Sequence, residues 1–393
     1  MTTQAASTFS RRHGTLVAAI ATIACCDIAM GLTFQLLPLL MEARKVPTWI
    51  MGLNAAMGPI GILLAGPFLP KIIGKIGSKR TVAIVIVVII LGLMAFQIFP
   101  SLAAWFAIRF FFGIATGTLF TVSEAWILTA TDDSNRGRIM GLYTTILAVS
   151  FAVGPVIIPF TGIDGSTPWI IGMACVALSA LPLMFVDVSE ATFHDEHGGS
   201  FLRFVTKAPL LLFAVGAVTI FDSALLSFFP IFGLRSGLDL QTTSWVLGAG
   251  IIGNTLFQLP LGLLADKWSR MGVVVSSSVI TIVMCVSLIW AVDSWLILPV
   301  VIVMASTAFS VYTISLVVMG DMFRGPDLIA GSAAFSAMWG IGGLVGPPIA
   351  GAAIDLFGIN AFPVSLASIY VILLAGLALN GGRLIRTDRK SVV

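Results

Sequence analysis

Apolar residues follow one another along this chain for about 20 positions at a time, and short polar breaks separate the runs. Twelve runs can be marked, at 15–40, 49–70, 81–99, 101–130, 136–159, 167–186, 208–232, 241–265, 272–292, 294–320, 328–354 and 359–381. Each is long enough for an α-helix rising ~1.5 Å per residue to cross hydrocarbon. Barrel strands would instead alternate apolar and polar residues over short segments. The pattern predicts an all-α membrane protein of twelve transmembrane helices.

One long polar stretch interrupts the interior, from Asp187 to Lys207, and it divides six runs from six. The expected organisation is a first bundle at 1–186, a cytoplasmic linker at 187–207 and a second bundle at 208–393. Internal repetition agrees. Gly154-Pro155 recurs as Gly346-Pro347 at an offset of 192, and a loop read at Gly66-Pro67-Phe68-Leu69-Pro70 recurs as Gly262-Leu263-Leu264-Ala265-Asp266 at an offset of 196. Duplication of a multi-helix membrane unit points to a transporter whose site lies between the halves.

Composition places the chain in lipid. It is 58% apolar and 10% charged, with a mean hydropathy of +1.06, whereas about a quarter of a soluble domain is charged. With the first run entering from the cytoplasm, seventeen Lys and Arg residues fall in inner loops and tails, against Arg44, Lys45 and Arg235 outside. The positive-inside rule then puts both termini in the cytoplasm. The net charge of +3 reflects this topology and gives no reason to invoke nucleic acid. Cys25, Cys26, Cys175 and Cys285 all lie within apolar runs, as small packing residues rather than a disulfide framework. Arg11-Arg12 before the first run has the look of a signal peptide, but eleven further runs need the first as a packing partner. His194-Asp195-Glu196-His197 reads as a solvated linker rather than a metal site, and no metal or prosthetic group is expected.

Only Asp27, Arg109, Glu124 and Asp222 are ionisable and clearly inside runs. Each costs roughly 2.5 to 3.5 kcal/mol at a helix centre, so each is expected to face protein or water. Asp27 and Asp222 are 195 residues apart on equivalent runs at similar depth, which makes them candidate proton or cation sites, Asp27 first. The structural alternatives are an Asp27–Arg109 ion pair, hydrogen bonds from neighbouring hydroxyls to Asp222, and pairing of Glu124 with Arg136 or Arg138. Glu124 is otherwise a proton relay. Arg109 cannot discharge its proton and needs a carboxylate, or, if left unpaired, an anionic solute. Phe34, Gln35, Asn54, Tyr143, Phe228, Asn254, Gln258, Tyr312 and Trp339 are the residues expected to line a solute cavity.

Together these features resemble the major facilitator superfamily from the first run to the twelfth. The carriers are Gly262-Leu-Leu-Ala-Asp266-Lys267-Trp-Ser-Arg270, Arg109 to Gly117, Arg136-Gly137-Arg138, Gly154-Pro155 and Gly342-Gly-Leu-Val-Gly346-Pro347. The resemblance implies two pseudo-symmetric six-helix bundles rocking around a central site, a monomer, and drive from solute or proton gradients. It also implies a cytoplasmic gate of Asp266, Lys267, Arg270, Arg136 and Arg138, with Asp266 pairing near Arg138. The chain departs from the family pattern at Pro70, which stands opposite Asp266, at Phe112 for glutamine, and at Ser150 and Ile158-Pro159 in the fifth helix. Glu124-Ala-Trp126 and Gln258-Leu-Pro-Leu-Gly262 look most like compact bacterial twelve-span facilitators, implying the bacterial inner membrane.

The first functional expectation is a proton-coupled transporter of a small organic solute, with efflux of a lipophilic or cationic drug or metabolite ahead of uptake. The alternative is uptake or uniport of a metabolite or vitamin. An enzyme is not expected: the three histidines, His13, His194 and His197, all lie outside the apolar runs, which hold no nucleophile–base or metal-ligand cluster.

Overall fold

The computed structural model describes residues 3–131, 135–185, 201–324, 326–380 and 384. The chain runs α1 (Thr3–Ala43), α2 (Thr48–Ala65), α3 (Leu69–Ile76), α4 (Ser78–Ile98), α5 (Leu102–Ala130), α6 (Arg136–Thr161), α7 (Thr167–Leu178) and α8 (Leu181–Phe185). It continues through α9 (Phe201–Lys207), α10 (Pro209–Arg235), α11 (Leu240–Lys267), α12 (Arg270–Ala291), α13 (Ile297–Met322), α14 (Pro326–Phe357) and α15 (Ala361–Leu379). No strand occurs among the described residues. Twelve stretches are long and apolar enough to cross a membrane, as the sequence predicts. Helices are the required answer, because hydrocarbon offers no partner for a backbone N–H or C=O.

Three places differ from the sequence reading, each for a local reason. The segment from Gly66 to Pro70, read as a loop, is a 3-10 turn (Gly66–Phe68) leading directly into α3. Pro67 and Pro70 each lack an amide donor, so the ladder breaks while the chain keeps its helical course. The sixth span is broken at Ser179 and Ala180 between α7 and α8. There the Ser179 carbonyl accepts from the Thr22 hydroxyl at 3.0 Å, which ties the break to α1. The expected linker ends in a short helix, α9. Phe204 is buried against Phe323, ring centroids 4.9 Å apart, and the Lys207 ammonium pairs with Asp327 at 2.6 Å. The histidines of the linker lie outside the described residues.

Two compact units emerge, one of Met1–Arg44 with Met57–Asp195 and one of Lys45–Ala56 with Glu196–Val393. The first turns of α2 therefore cluster with the second unit. Their free amides are satisfied there by Asp355 of α14, which accepts from the Thr48 amide at 3.1 Å and the Trp49 amide at 2.8 Å. A carboxylate at a helix N-terminus satisfies orphan donors and opposes the helix dipole.

Within each unit the repeated Gly-Pro pair marks a helix crossing. In the first, α1 meets α6 backbone to backbone: a Cβ on Gly31 would lie 2.1 Å from the Phe151 carbonyl oxygen, and one on Gly154 would lie 2.1 Å from the Leu32 nitrogen. In the second, α10 meets α14 the same way. A Cβ on Gly346 would sit 2.4 Å from the Ile220 oxygen, and one on Gly342 would sit 2.4 Å from the Thr219 hydroxyl oxygen. Small residues permit this approach, and dispersion between the closely packed helices holds it. Gly154→Ala and Gly346→Ala should each lower stability by about 1–3 kcal/mol through overpacking. Gly141→Ala, where a Cβ meets nothing within 4 Å, should have little effect. Thermal unfolding in detergent reads both.

Candidate functional site

Asp27 and Arg109 both sit in the first unit, 3% and 6% exposed, and they do not pair. Asp27 Oδ1 is enclosed with no hydrogen-bond partner. The Arg109 guanidinium lies over the Phe34 ring, 5.4 Å from its centroid, and makes no hydrogen bond or ion pair among the described residues. Helix geometry explains the missing pair: Phe34 is seven residues beyond Asp27 on the same face of α1, about 10 Å farther along the axis. A cation on a ring gains about 0.5–2 kcal/mol, whereas a buried ion without a counter-charge costs several. Arg109 is therefore under-compensated by the protein around it.

Glu124 is exposed and does not pair with Arg138. Arg138 is exposed, and the side chain of Arg136 lies outside the described residues. Tyr143 is near enough to feel both acids. It is 1% exposed, its hydroxyl has no partner, and it lies within electrostatic reach of both Glu124 and Asp27. An enclosed carboxyl, a buried phenol and an exposed carboxylate thus lie within electrostatic reach through Tyr143. Of the other residues named from sequence in this unit, Gln35 is buried, and Phe34 is half-buried with its ring 5.6 Å from that of Phe151.

In the second unit, Asp222 is half-buried, and the hydrogen bonds expected from neighbouring hydroxyls are not formed. The Tyr370 hydroxyl, within electrostatic reach of Asp222, donates instead to the Ala308 carbonyl at 2.8 Å. Asn254 and Gln258, one turn apart on α11, are joined: the Gln258 amide donates to Asn254 Oδ1 at 2.6 Å, and the Thr313 hydroxyl donates to Gln258 Oε1 at 2.6 Å. Tyr312 and Trp339 are half-buried with ring centroids 5.7 Å apart. Phe309 lies 5.3 Å from Tyr312 and 6.0 Å from Trp339, and Phe335 supports Tyr312 from 6.2 Å. Phe309 and Phe335 escaped the sequence reading, although each is three or four residues from a named aromatic on its own helix. Phe228, expected at a cavity wall, is instead 1% exposed and packs near Gly351. Asn54 is fully buried with both amide atoms unpartnered.

The gate residues arrange themselves differently from the expectation. Asp266 and Lys267 form no hydrogen bond or ion pair among the described residues. Arg270 pairs with Asp321. Ser269 caps α12 by accepting from the Gly272 amide at 3.1 Å, which holds Arg270 in the first turn, beside the acid at the end of α13. No cluster of three metal-ligating side chains occurs among the described residues.

A family model described as Major Facilitator Superfamily matches residues 19–251 and 211–391. The chain is 26% identical to the uncharacterized MFS-type transporter YfkF of Bacillus subtilis, over 93% of this chain and 96% of that protein. It is 21% identical to the uncharacterized MFS-type transporter YcaD of Salmonella typhimurium, over 91% and 93%. Among solved structures, a bacterial homolog of the human lysosomal transporter Spinster superposes with a TM-score of 0.78 at 12% identity, covering 98% of this chain and 99% of that one. The nucleoside transporter NupG superposes with a TM-score of 0.74 at 14% identity, covering 93% and 98%. At these identities the structural likeness carries the fold alone.

Because the Tyr143 hydroxyl is enclosed without a partner, its removal should not destabilise the protein. Tyr143→Phe is expected to keep or raise the thermal midpoint, since an unsatisfied buried hydroxyl costs about 1–3 kcal/mol. A lowered midpoint would mean that the hydroxyl is bonded after all.

Proposed function

The chain belongs to the Major Facilitator Superfamily, hence is a multi-pass secondary transporter working by alternating access rather than an enzyme, and on that premise we propose that it couples movement of a small organic solute to a proton carried by Asp27. One observation carries the proposal: an enclosed carboxyl with no cation and an unpartnered oxygen, with Tyr143 within electrostatic reach of both it and Glu124. A carboxyl shut in an apolar enclosure without a partner is tolerated as the neutral acid, and it ionises when water or a donor reaches it. Alternating exposure therefore loads and unloads a proton without any prosthetic group. Glu124, the exposed acid, exchanges that proton with solvent.

Solute contacts are assigned in the second unit to the half-buried Phe309, Tyr312 and Trp339, with the Asn254–Gln258–Thr313 chain as a hydrogen-bonding edge. A cluster of tilted and edge-on rings favours a planar or apolar body, and amide groups recognise polar substituents. The proposed setting is the inner membrane of a bacterium, both termini cytoplasmic, with one chain sufficient as the working unit. Asp222, half-buried and unpaired, is the secondary acidic site.

Reconstitution into liposomes with an imposed pH gradient tests the coupling. Solute flux should rise with the gradient, and its direction reads efflux against uptake. Asp27→Asn should abolish the gradient dependence while leaving solute equilibration in place, and Glu124→Gln should slow the coupled rate. Equal flux with and without the gradient would establish uniport and remove the proton from the mechanism. Trp339→Ala should raise KM by a few-fold to about tenfold with little change in maximal rate, in line with about 0.5–1.5 kcal/mol for a ring contact.

A further inference from the structure

We infer that Arg109 is an anion-binding site and that the solute carries a carboxylate or phosphate group, an inference that rests on the transport reading above and specifies its solute. The Arg109 guanidinium is 6% exposed and holds five N–H donors, yet among the described residues these make no hydrogen bond or ion pair, and the group lies over the face of Phe34. Its nitrogens are absent from the fully enclosed, unpartnered polar atoms of the protein, so the fork retains access to solvent. Among the described residues no acid of the first unit pairs with it. Asp27 lies two helical turns away along α1, and Glu124 is fifteen residues along α5, about 22 Å. Glu42 is eight residues beyond Phe34, about 12 Å along α1.

Two comparisons inside the protein separate this group from a structural arginine. Where a guanidinium is simply tied down, the chain gives it a backbone acceptor: Arg44 donates to the Pro100 carbonyl at 2.6 Å and stacks on Trp105 at 4.4 Å. The duplication supplies the second comparison. The repeat offsets of 192 to 196 carry position 109 onto Val301, Ile302, Val303, Met304 and Ala305, all apolar. The same helix in the other unit thus needs no cation at this level. A residue that packing does not require, and that no acid compensates, is retained for a charge brought from outside. Guanidinium matches carboxylate and phosphate oxygens with parallel donors. Phe34 and Phe151, both half-buried beside it, suit an apolar body on the same molecule, so the solute class is an amphiphilic organic anion. This reverses the cationic preference expected from sequence.

The test uses the full-length protein in detergent, with benzoate, phenyl phosphate, benzamide and benzylamine as probes of thermal unfolding. A ligand that binds the folded state stabilises it by RT ln(1 + [L]/Kd), so the midpoint rises with concentration and affinity. Benzoate or phenyl phosphate should stabilise, and the contrast between them distinguishes a carboxylate from a phosphate solute; benzamide and benzylamine should not. In Arg109→Gln the anion Kd should rise about tenfold or more, and Arg109→Lys, which keeps the charge without the fork, should fall between. The lysine variant also serves if the glutamine variant folds poorly. Stabilisation by the amine or amide equal to that by the anions would overturn the assignment. So would the absence of binding by either anion, or unchanged anion affinity in both variants. The gradient experiment separates the two proposals. Gradient-insensitive flux with Arg109-dependent anion binding removes only the coupling, and coupled flux with no anion preference removes only the anion.

Discussion

An ion taken out of water without a partner is the most expensive thing a membrane protein can build, and the arrangement of this one is organised around that cost. Three ways of meeting it exist: an opposite charge nearby, a proton that neutralises the group, or a ligand that arrives with the missing charge. The first is the usual structural solution, and the chain uses it at Lys207–Asp327 and Arg270–Asp321, both near helix ends. None of Asp27, Arg109, Glu124 and Asp222 adopts it among the described residues. The remaining two ways are those of a carrier, in which charge is compensated by what is being carried.

The scaffold has the opposite character. Backbone meets backbone at Gly31 and Gly154 in one unit, and at Gly342 and Gly346 in the other. These crossings leave no room for a methyl group, so each unit holds its helices rigidly at the repeated Gly-Pro position. Repetition of the crossing, without repetition of the buried charges, is informative. Asp27 is enclosed while Asp222 is half-buried, and Arg109 has only apolar counterparts. Duplication supplied a frame with two equal halves, and the chemistry was then placed unequally upon it.

Much of this was legible before any coordinates. Uninterrupted apolar runs can be nothing but helices in hydrocarbon, so the twelve spans read directly. The Gly-Pro repeat announced where helices would touch. Pairing was not legible, because residue types do not reveal register. Asp27 and Arg109 are obvious partners by charge, yet two turns of α1 separate the level of one from the level of the other. Arg270 and Asp321 are 51 positions apart in sequence and meet only because a cap at Ser269 fixes where α12 begins. The helix at Phe201–Lys207 was hidden in a polar linker, since one buried ring, Phe204, and one ion pair, Lys207–Asp327, anchor it. The aromatic cluster was half visible: Tyr312 and Trp339 drew notice, whereas Phe309 and Phe335 did not stand out from the other phenylalanines.

Separation of Asp27 from Arg109 also decides what kind of load the first unit can hold at low cost. Were the two paired, the unit would be neutral when empty, and either ligand would have to displace the other partner. Apart, each awaits its own complement in the proposed mechanism: the carboxyl a proton and the guanidinium an anion. With both in place no uncompensated charge remains at either position, and the loaded unit is cheaper to enclose than one carrying only the proton or only the anion. On that proposal the half-loaded states are penalised, the one that would leak a proton and the one that would leak solute alike. Tight coupling, if the proposed proton and anion sites operate, would then need no dedicated switch, only the cost of burying an ion alone.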